Sequence, residues 1–432
     1  GEYMRRFLLT SLCTTQQVQR VLFKRNDVGD VDSFLRKYIA WAEEREWKIL
    51  HEFSVDDADV VVVGDLHGHF ATMRAAFRVW LGRLAAKPST HLIFLGDFVD
   101  RGKRDVEMAI AIMALQMWMG GPVIVLRGNH EHEQASEASR YDGISWTFAK
   151  SLSSTFADGA MHKKIPKDQR VMELWNLFAD AFWNLPAAAI VARGSKRYLM
   201  LHGGWTKSVL DNQENLRRSL LSTVERPRLG TYQLPEENSK EKLIQDLVWS
   251  DVMHRRIEGK YGNSSRGAGI ATYGYEAIRD MFQALDVDWC ISGHKHQNLL
   301  WMPEELSDKG HLVVVSADGL RLRESAKLVV IENPPGLVCC CWTEEIKNNA
   351  PTEESCKHRF TQDNMCCKYK AGSSCTGRRK LIGQTLGILA NKYRTLQDPT
   401  ICGVRPSFEE LSPLIPKYTL DDDITEGCWS DR

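Results

Sequence analysis

No excess of either charge marks this sequence: lysine plus arginine and aspartate plus glutamate each total 56. A chain without a net field has no general attraction for nucleic acid or an anionic membrane, so partners have to be read from individual sites. Long apolar runs are missing as well. The longest nearly uncharged stretch, Met108 to Met119, falls short of the ~20 residues that a membrane span needs and has the character of a buried helix. A soluble protein is expected, with no transmembrane segment and no nucleic-acid partner. Cysteine is scarce before residue 339, where only Cys13 and Cys290 occur, and the other nine of the eleven follow. The late group has neither a Cys-x-x-Cys pair nor a His-x3-5-His partner, so reduced or palmitoylated thiols are expected there rather than structural zinc. A cysteine-poor body suits a reducing compartment. The first residue is Gly rather than Met, as in a fragment; cytoplasmic or nuclear location is the expectation.

What is present is enough for a full core. With 432 residues, 43% of them hydrophobic and 26% charged, the chain has room for about two or three domain-sized units. Between Val31 and Trp47 the apolar positions Phe34, Tyr38, Ile39, Trp41 and Ala42 follow a helical period, predicting a helical N-terminal extension over residues 1–50. From Asp59 onward, short runs rich in β-branched residues alternate with longer helical stretches such as Phe70 to Leu84 and Val106 to Met117. The runs are Val60 to Val63, Leu92 to Leu95, Val123 to Leu126, Leu199 to Leu201, Trp289 to Ile291, Leu312 to Val315 and Leu328 to Ile331. Such runs predict an α/β domain over residues 51–335 whose sheets are covered on at least one face. After Pro334-Pro335-Gly336 the rhythm fades into polar, cysteine-rich sequence. Residues 336–432 are expected to be a loosely ordered tail, with one helix at Leu381 to Tyr393.

Five polar clusters each begin directly after one of the first five runs: Gly64 to Gly68, Gly96 to Gly102, Gly128 to Glu131, His202 to Gly204, and Gly293 to His296. An isolated Asp-Gly or His-Gly pair is most often only a turn. Five clusters of oxygen and nitrogen donors, each at a strand end, converge on one sheet edge where α/β folds bind ligands. Asp65 and His67, two positions apart, can bind one metal together. Asp97 is the natural carboxylate to bridge two metals roughly 3.5–4 Å apart. Asn129 adds a neutral carbonyl that spares a phosphate dianion further repulsion, and His202 and His294 complete the second metal. The set fits a two-metal phosphoester hydrolase.

The order Gly-Asp-Leu-His-Gly, Gly-Asp-Phe-Val-Asp-Arg-Gly, Arg-Gly-Asn-His-Glu, His-Gly-Gly resembles the phosphoprotein phosphatase (PPP) family of metal-dependent serine/threonine phosphatases, within the calcineurin-like metallophosphoesterases. The likeness spans about Val60 to Ile331 and includes Leu185 to Ile190, Val248-Trp249-Ser250-Asp251 and Arg266-Gly267. It implies a mixed β-sandwich flanked by helices, with a di-metal site at the C-terminal ends of the strands. It implies that Asp65, His67 and Asp97 hold one divalent ion, and Asp97, Asn129, His202 and His294 the other. Manganese is expected, with iron or zinc as alternatives, because mixed Asp, His and Asn donors suit all three. Arg101 and Arg266 would clamp the phosphate. His130, oriented by Asp100, would protonate the leaving oxygen, and a metal-bridging water would attack phosphorus in line. Phosphorylated proteins are the implied substrates, and the tail is a candidate dock for a regulatory protein.

Two departures keep other readings open. Gly293-His294-Lys295-His296 is similar to the phosphodiesterase and nuclease branch, making His296 an extra candidate ligand beside its reading as a loop histidine. The family's Ser-Ala-Pro-Asn-Tyr-Cys rim is replaced by Ser316-Ala317-Asp318-Gly319-Leu320-Arg321, which removes the aromatic that shapes the substrate groove. Hydrolysis of a dinucleoside polyphosphate or a phosphodiester is the alternative activity, and an inactive scaffold the alternative class.

Overall fold

The fold is drawn from a computed structural model, which describes residues 28–45, 48–55, 58–87, 89–102, 104–131, 147–156, 169–205, 240–253, 260–266, 269–295, 299–301, 309–314, 316, 326–332, 336–342 and 358–359. The run of four valines that forms β2 (Val60–Val63) shows how the layers arise. Successive side chains of a strand face opposite ways. Val61 and Val63 therefore join one apolar cluster and Val60 and Val62 another. A strand that is apolar on both faces has to be covered on both.

On one side of β2 lies β3 (His91–Phe94), itself followed by β4 (Val123–Val125), all three parallel. On the other side β13 (Ala326–Glu332) runs antiparallel, followed by β14 (Gly336–Trp342) and β15 (His358–Arg359), giving the order β15-β14-β13-β2-β3-β4. A second six-stranded sheet has the order β1-β5-β6-β10-β12-β11, from β1 (Leu50–Ser54), β5 (Ala188–Arg193), β6 (Lys196–Leu201), β10 (Trp289–Ser292), β11 (Leu299–Trp301) and β12 (Gly310–Val313). The two sheets share the cluster that holds Val60, Val62, Ile93, Ile124, Val191, Met200 and Ile291. A small sheet of β7 (Asp251–Val252), β9 (Ala271–Tyr273) and β8 (Tyr261–Asn263) completes the strands.

Helices cover the two outer faces. α1 (Val28–Glu43), α2 (Phe70–Ala86), α3 (Asp105–Met119), α4 (Phe148–Phe156) and α5 (Gln169–Trp183) pack on the β2 sheet. α6 (Lys240–Trp249) and α7 (Tyr275–Leu285) pack on the other. The result is a helix, sheet, sheet, helix arrangement, the mixed β-sandwich flanked by helices that the resemblance implies. α3 is buried without interruption from Asp105 to Gln116, which is why its sequence is apolar all round. Among the described residues, no helix is long and apolar enough to cross a membrane.

Both expected boundaries fall inside continuous structure. α1 buries Val31, Phe34, Leu35, Tyr38, Trp41 and Ala42 in the same cluster as α2 to α5, so the helix is part of the core rather than an extension of it. Its spacing of three and four residues creates an apolar stripe that needs a partner surface, and the sheet-covering helices supply one. At the other end the sheet runs past residue 335. β14 pairs with β13 along its whole length, because a strand of seven residues beginning at Gly336 can return directly as a hairpin. The remainder of the tail, including Leu381 to Tyr393 and most of its cysteines, lies outside the described residues, as do residues 1–27.

Phe34 is fully buried in this shared core. Replacing it by alanine is expected to cost about 3–5 kcal/mol of stability, read as a lowered denaturant midpoint of the single main transition. An unchanged midpoint would mean that α1 is separable from the core.

Candidate metal centre

The parallel register Val63↔Phe94↔Val125 makes β2, β3 and β4 end at one level, and Leu201↔Ser292 does the same for β6 and β10. The five polar clusters therefore leave their strands along one edge of the sandwich. Cross-ties join them. Leu66 and His67 donate their backbone N–H to Asp97 O at 2.8 and 2.9 Å, and Gly293 donates to His202 O at 2.9 Å. Bonds that span the sheets include His294 N–H to Asp65 Oδ1 at 3.0 Å and His202 Nδ1 to Leu95 O at 3.1 Å. The approach is so close that a Cβ at Gly128 would strike Asp97 Oδ1, and one at Gly293 would strike Asp65 Oδ1.

Backbone strain concentrates at the same edge. Among the described non-glycine residues, positive φ occurs at His67 (42°), Asp97 (53°), Asp100 (63°), Arg101 (66°) and His294 (65°), and otherwise only at Asp286. Each such residue costs of order 1–3 kcal/mol, a cost characteristic of functional sites.

Asp97 sits at the centre of two groups of potential metal donors, His67 with Asp97 and His130, and Asp97 with His202 and His294, each group lying within 4.8 Å. Asp97 Oδ2 is 3.5 Å from His67 Nε2, 3.2 Å from His202 Nε2 and 3.9 Å from His130 Nε2. Asn129 Oδ1 lies 3.0 Å from His202 Nε2. The first group contains His130 beside the expected His67 and Asp97. Asp65 stands alongside, its Oδ1 accepting the His294 N–H and lying 3.9 Å from His202 Nδ1. His296 and residues 317–321 of the altered rim lie outside the described residues. Ser316, also of that rim, accepts the Gly64 N–H through its Oγ at 2.8 Å.

Second partners select which histidine nitrogen faces inward. His67 Nδ1 is engaged by Val99 O at 2.9 Å, leaving Nε2 toward Asp97. His294 Nε2 is engaged by Trp249 O at 2.9 Å, leaving Nδ1. The electrostatics divide the three imidazoles. Burial, with the Arg101 charge, holds His67 well below its ordinary pKa, and burial with Arg266 does the same to His294. Burial also opposes charge on His202, but Asp97, Asp65 and Glu131 prevail and push it up to about 9. Burial pulls Asp97 upward, yet His202, His130 and His67 hold it well below the usual carboxylate range.

Beside this centre His130 Nδ1 meets Asp100 Oδ2 at 2.6 Å, and Asp100 Oδ1 accepts the Phe148 N–H at 2.6 Å. Arg101 Nη2 donates to His130 Nε2 at 3.2 Å. From the other sheet, Arg266 grips Asp251 with two bonds of 2.6 and 3.2 Å and reaches His294 O at 3.2 Å.

A family model described as calcineurin-like phosphoesterase matches residues 58–298, more than half of the chain. The chain belongs to the calcineurin-like phosphoesterase family. In fold, this phosphoesterase is similar to a protein serine/threonine phosphatase from Saccharomyces cerevisiae with similarity to human phosphatase PP5. The identity is 16% and the TM-score 0.53, over 74% of this chain and 90% of that one. Fainter likenesses link the phosphoesterase to a cold-active protein-tyrosine phosphatase of a psychrophilic Shewanella species, at 14% identity and a TM-score of 0.39 over 68% and 80% of the two chains. A putative diadenosine tetraphosphatase matches at 11% and 0.32 over 69% and 100%.

The family uses divalent metals, and the residues present fit a pair of them. Nitrogen and oxygen donors of borderline hardness surround one shared carboxylate, and the buried His67 Nε2 makes no hydrogen bond. Two residues of the phosphoesterase had no role in the sequence reading and acquire one here. Asp251 fixes Arg266, and Glu131, whose carboxyl burial and the Asp97 charge push up to about 7, accepts four backbone N–H groups. Each acid stands inside a motif, but Arg266 lies 15 residues from Asp251 and residues 97–99 lie 32 to 34 from Glu131, separations that no motif spacing encodes.

A pKa near 9 means that His202 carries a proton at neutral pH before any metal arrives, and that proton must leave for Nε2 to act as a donor. His67 and His294 are already neutral. Manganese binding to metal-stripped protein at pH 6 should therefore release about one proton per chain, and apparent affinity should rise with pH toward 9. Calorimetry in buffers of different ionisation enthalpy measures the release. Binding without it would mean that His202 is neutral beforehand.

Proposed function

We propose that this phosphoesterase is a metal-dependent serine/threonine protein phosphatase acting on phosphomonoesters, with manganese as the expected ion. The observation that carries the reading is the Asp100–His130 pair next to the Asp97 centre, with His130 Nε2 3.9 Å from Asp97 Oδ2. An alkyl phosphate leaves as a strongly basic alkoxide, so its hydrolysis gains most from a positioned acid. Asp100 holds one proton on His130 Nδ1; the acid form is the imidazolium, whose second proton, on Nε2, would face the reacting group. Arg101, bonded to that Nε2, and Arg266, fixed by Asp251, are the guanidinium groups we assign to phosphoryl oxygens. The bound metals would supply Lewis acidity and lower the pKa of water toward neutrality. Asp65, His67, Asp97, Asn129, His202 and His294 are the residues we assign to hold them. The fold shared with the yeast phosphatase is compatible with this reading.

The test is release of phosphate from a phosphothreonine peptide by metal-stripped protein with and without manganese, beside an Asp97→Asn control. Manganese-dependent release that the control loses is the expected result. Turnover of diadenosine tetraphosphate or a bis-aryl phosphate in preference to the peptide would replace the proposal by the dinucleotide or diester hydrolase, and no turnover of any of them by the scaffold.

The acid's role gives a sharper expectation. Asp100→Asn should lower kcat on the peptide by roughly 10²-fold or more, and much less on an aryl phosphate whose leaving group needs no proton. Equal losses on both substrates would remove His130 from that role.

A further inference from the structure

The segment that carries Asp97 has an unusual hydrogen-bonding problem. As the chain leaves β3 it turns into left-handed conformation at Asp97 and again at Asp100 and Arg101, so its amides leave the sheet ladder while still deeply buried. Buried amides without acceptors cost free energy comparable to a lost hydrogen bond. Asp105 Oδ2 accepts the Asp100 N–H at 3.2 Å, and one side chain meets the three amides before it. Glu131, only 1% exposed, accepts Asp97 N–H at 2.7 Å and Gly128 N–H at 2.8 Å through Oε2. Through Oε1 it accepts Phe98 N–H at 2.9 Å and Val99 N–H at 3.2 Å.

The same segment turns its carbonyls outward. Asp97 O takes the Leu66 and His67 amides, Phe98 O takes the Gly68 amide at 3.0 Å, and Val99 O engages His67 Nδ1. Glu131 thus stands at the root of a chain of contacts that runs through residues 97–99 to His67. The conformation it holds sets both the Asp97 carboxylate and the His67 ring. Gly128, whose amide shares Oε2 with Asp97, leads directly to Asn129 and His130.

We propose that Glu131 is a positioning residue that sets the cation affinity of the centre by holding the Asp97 to Val99 backbone. The proposal rests on the metal-centre reading above and adds to it a residue that touches neither metal nor substrate. Residues in this relation to metal ligands typically change metal affinity by about 10–100-fold when altered. Glu131→Gln is the informative change, since it keeps the shape but turns one oxygen into an amide nitrogen, leaving two backbone donors facing a third donor.

The experiment is a calorimetric titration of the metal-stripped 432-residue chain with manganese, well below its melting transition, for wild type, Glu131→Gln and Asp59→Asn. Asp59, at the far end of β2, accepts hydrogen bonds from Arg83 and Lys87 at 2.7 Å each, so its loss reports general destabilisation. The expected result is affinity lowered about 10–100-fold in Glu131→Gln and unchanged in Asp59→Asn. Unchanged affinity in Glu131→Gln overturns the proposal and leaves the centre standing, as does an equal loss in Asp59→Asn. Wild type that binds no manganese overturns the centre, and the proposal with it. If Glu131→Gln does not fold, Glu131→Asp keeps the charge but lacks the methylene needed to reach both amide pairs, and the same outcomes apply to it.

Discussion

Asp97 is the group on which the candidate centre depends. Its carboxylate belongs to both clusters of donors, its carbonyl anchors the loop with His67, and its own oxygen Oδ1 accepts the His130 N–H at 2.9 Å. A buried acid with three imidazoles around it would in isolation be a poor arrangement, because burying charge is costly unless it is paired. The surroundings answer that cost in two ways. Neighbouring histidines hold Asp97 ionised against burial, and His202 carries the compensating proton. A divalent cation held by these residues would replace that proton with a larger charge, which is the physical sense in which they suit a metal.

The geometry needs two sheets. His67, Asp97 and His130 follow strands of one sheet, and His202 and His294 follow strands of the other. Neither sheet could assemble the centre alone. Their relative position is set by the apolar cluster between them, in which side chains from both interdigitate, since close-packed interiors transmit small displacements rather than absorbing them. The His294 to Asp65 and His202 to Leu95 bonds then lock the two edges within hydrogen-bonding distance. Local strain at five site residues is sustained because this packing over-determines the loops.

The centre was legible in the sequence because its donors are local: each is within a few residues of the end of a continuous apolar run. Strand direction then did the rest, bringing parallel ends to one edge. β2, β3, β4, β6 and β10 all announced themselves by such runs. β1 did not, since Leu50–Ser54 reads Leu-His-Glu-Phe-Ser and is only partly covered as an edge strand. β14 did not either, because its Cys-Cys-Cys core looked like the start of a tail and its pairing with β13 is a tertiary fact. An edge strand such as β1 draws its stability from one neighbour, so its composition carries less signal. His130 illustrates the limit on the site itself. Spacing identified it as part of a motif, but its closeness to Asp97 depends on a backbone turn that no spacing encodes.

That closeness has a consequence for chemistry. A histidine 3.9 Å from the shared carboxylate, with Nδ1 committed to Asp100 and Nε2 met by Arg101, has every polar contact spoken for in the resting arrangement. In the proposed reaction, a phosphoryl group that drew Arg101 to itself would free His130 Nε2 to take up a proton from solvent, the proton it would then pass to the leaving oxygen. Because a guanidinium cannot give up its own proton at neutral pH, Arg101 holds the imidazole in place without competing as an acid. Binding and proton delivery would then share one moving side chain, supported on a loop whose left-handed backbone at Asp100 and Arg101 leaves few other conformations open to it.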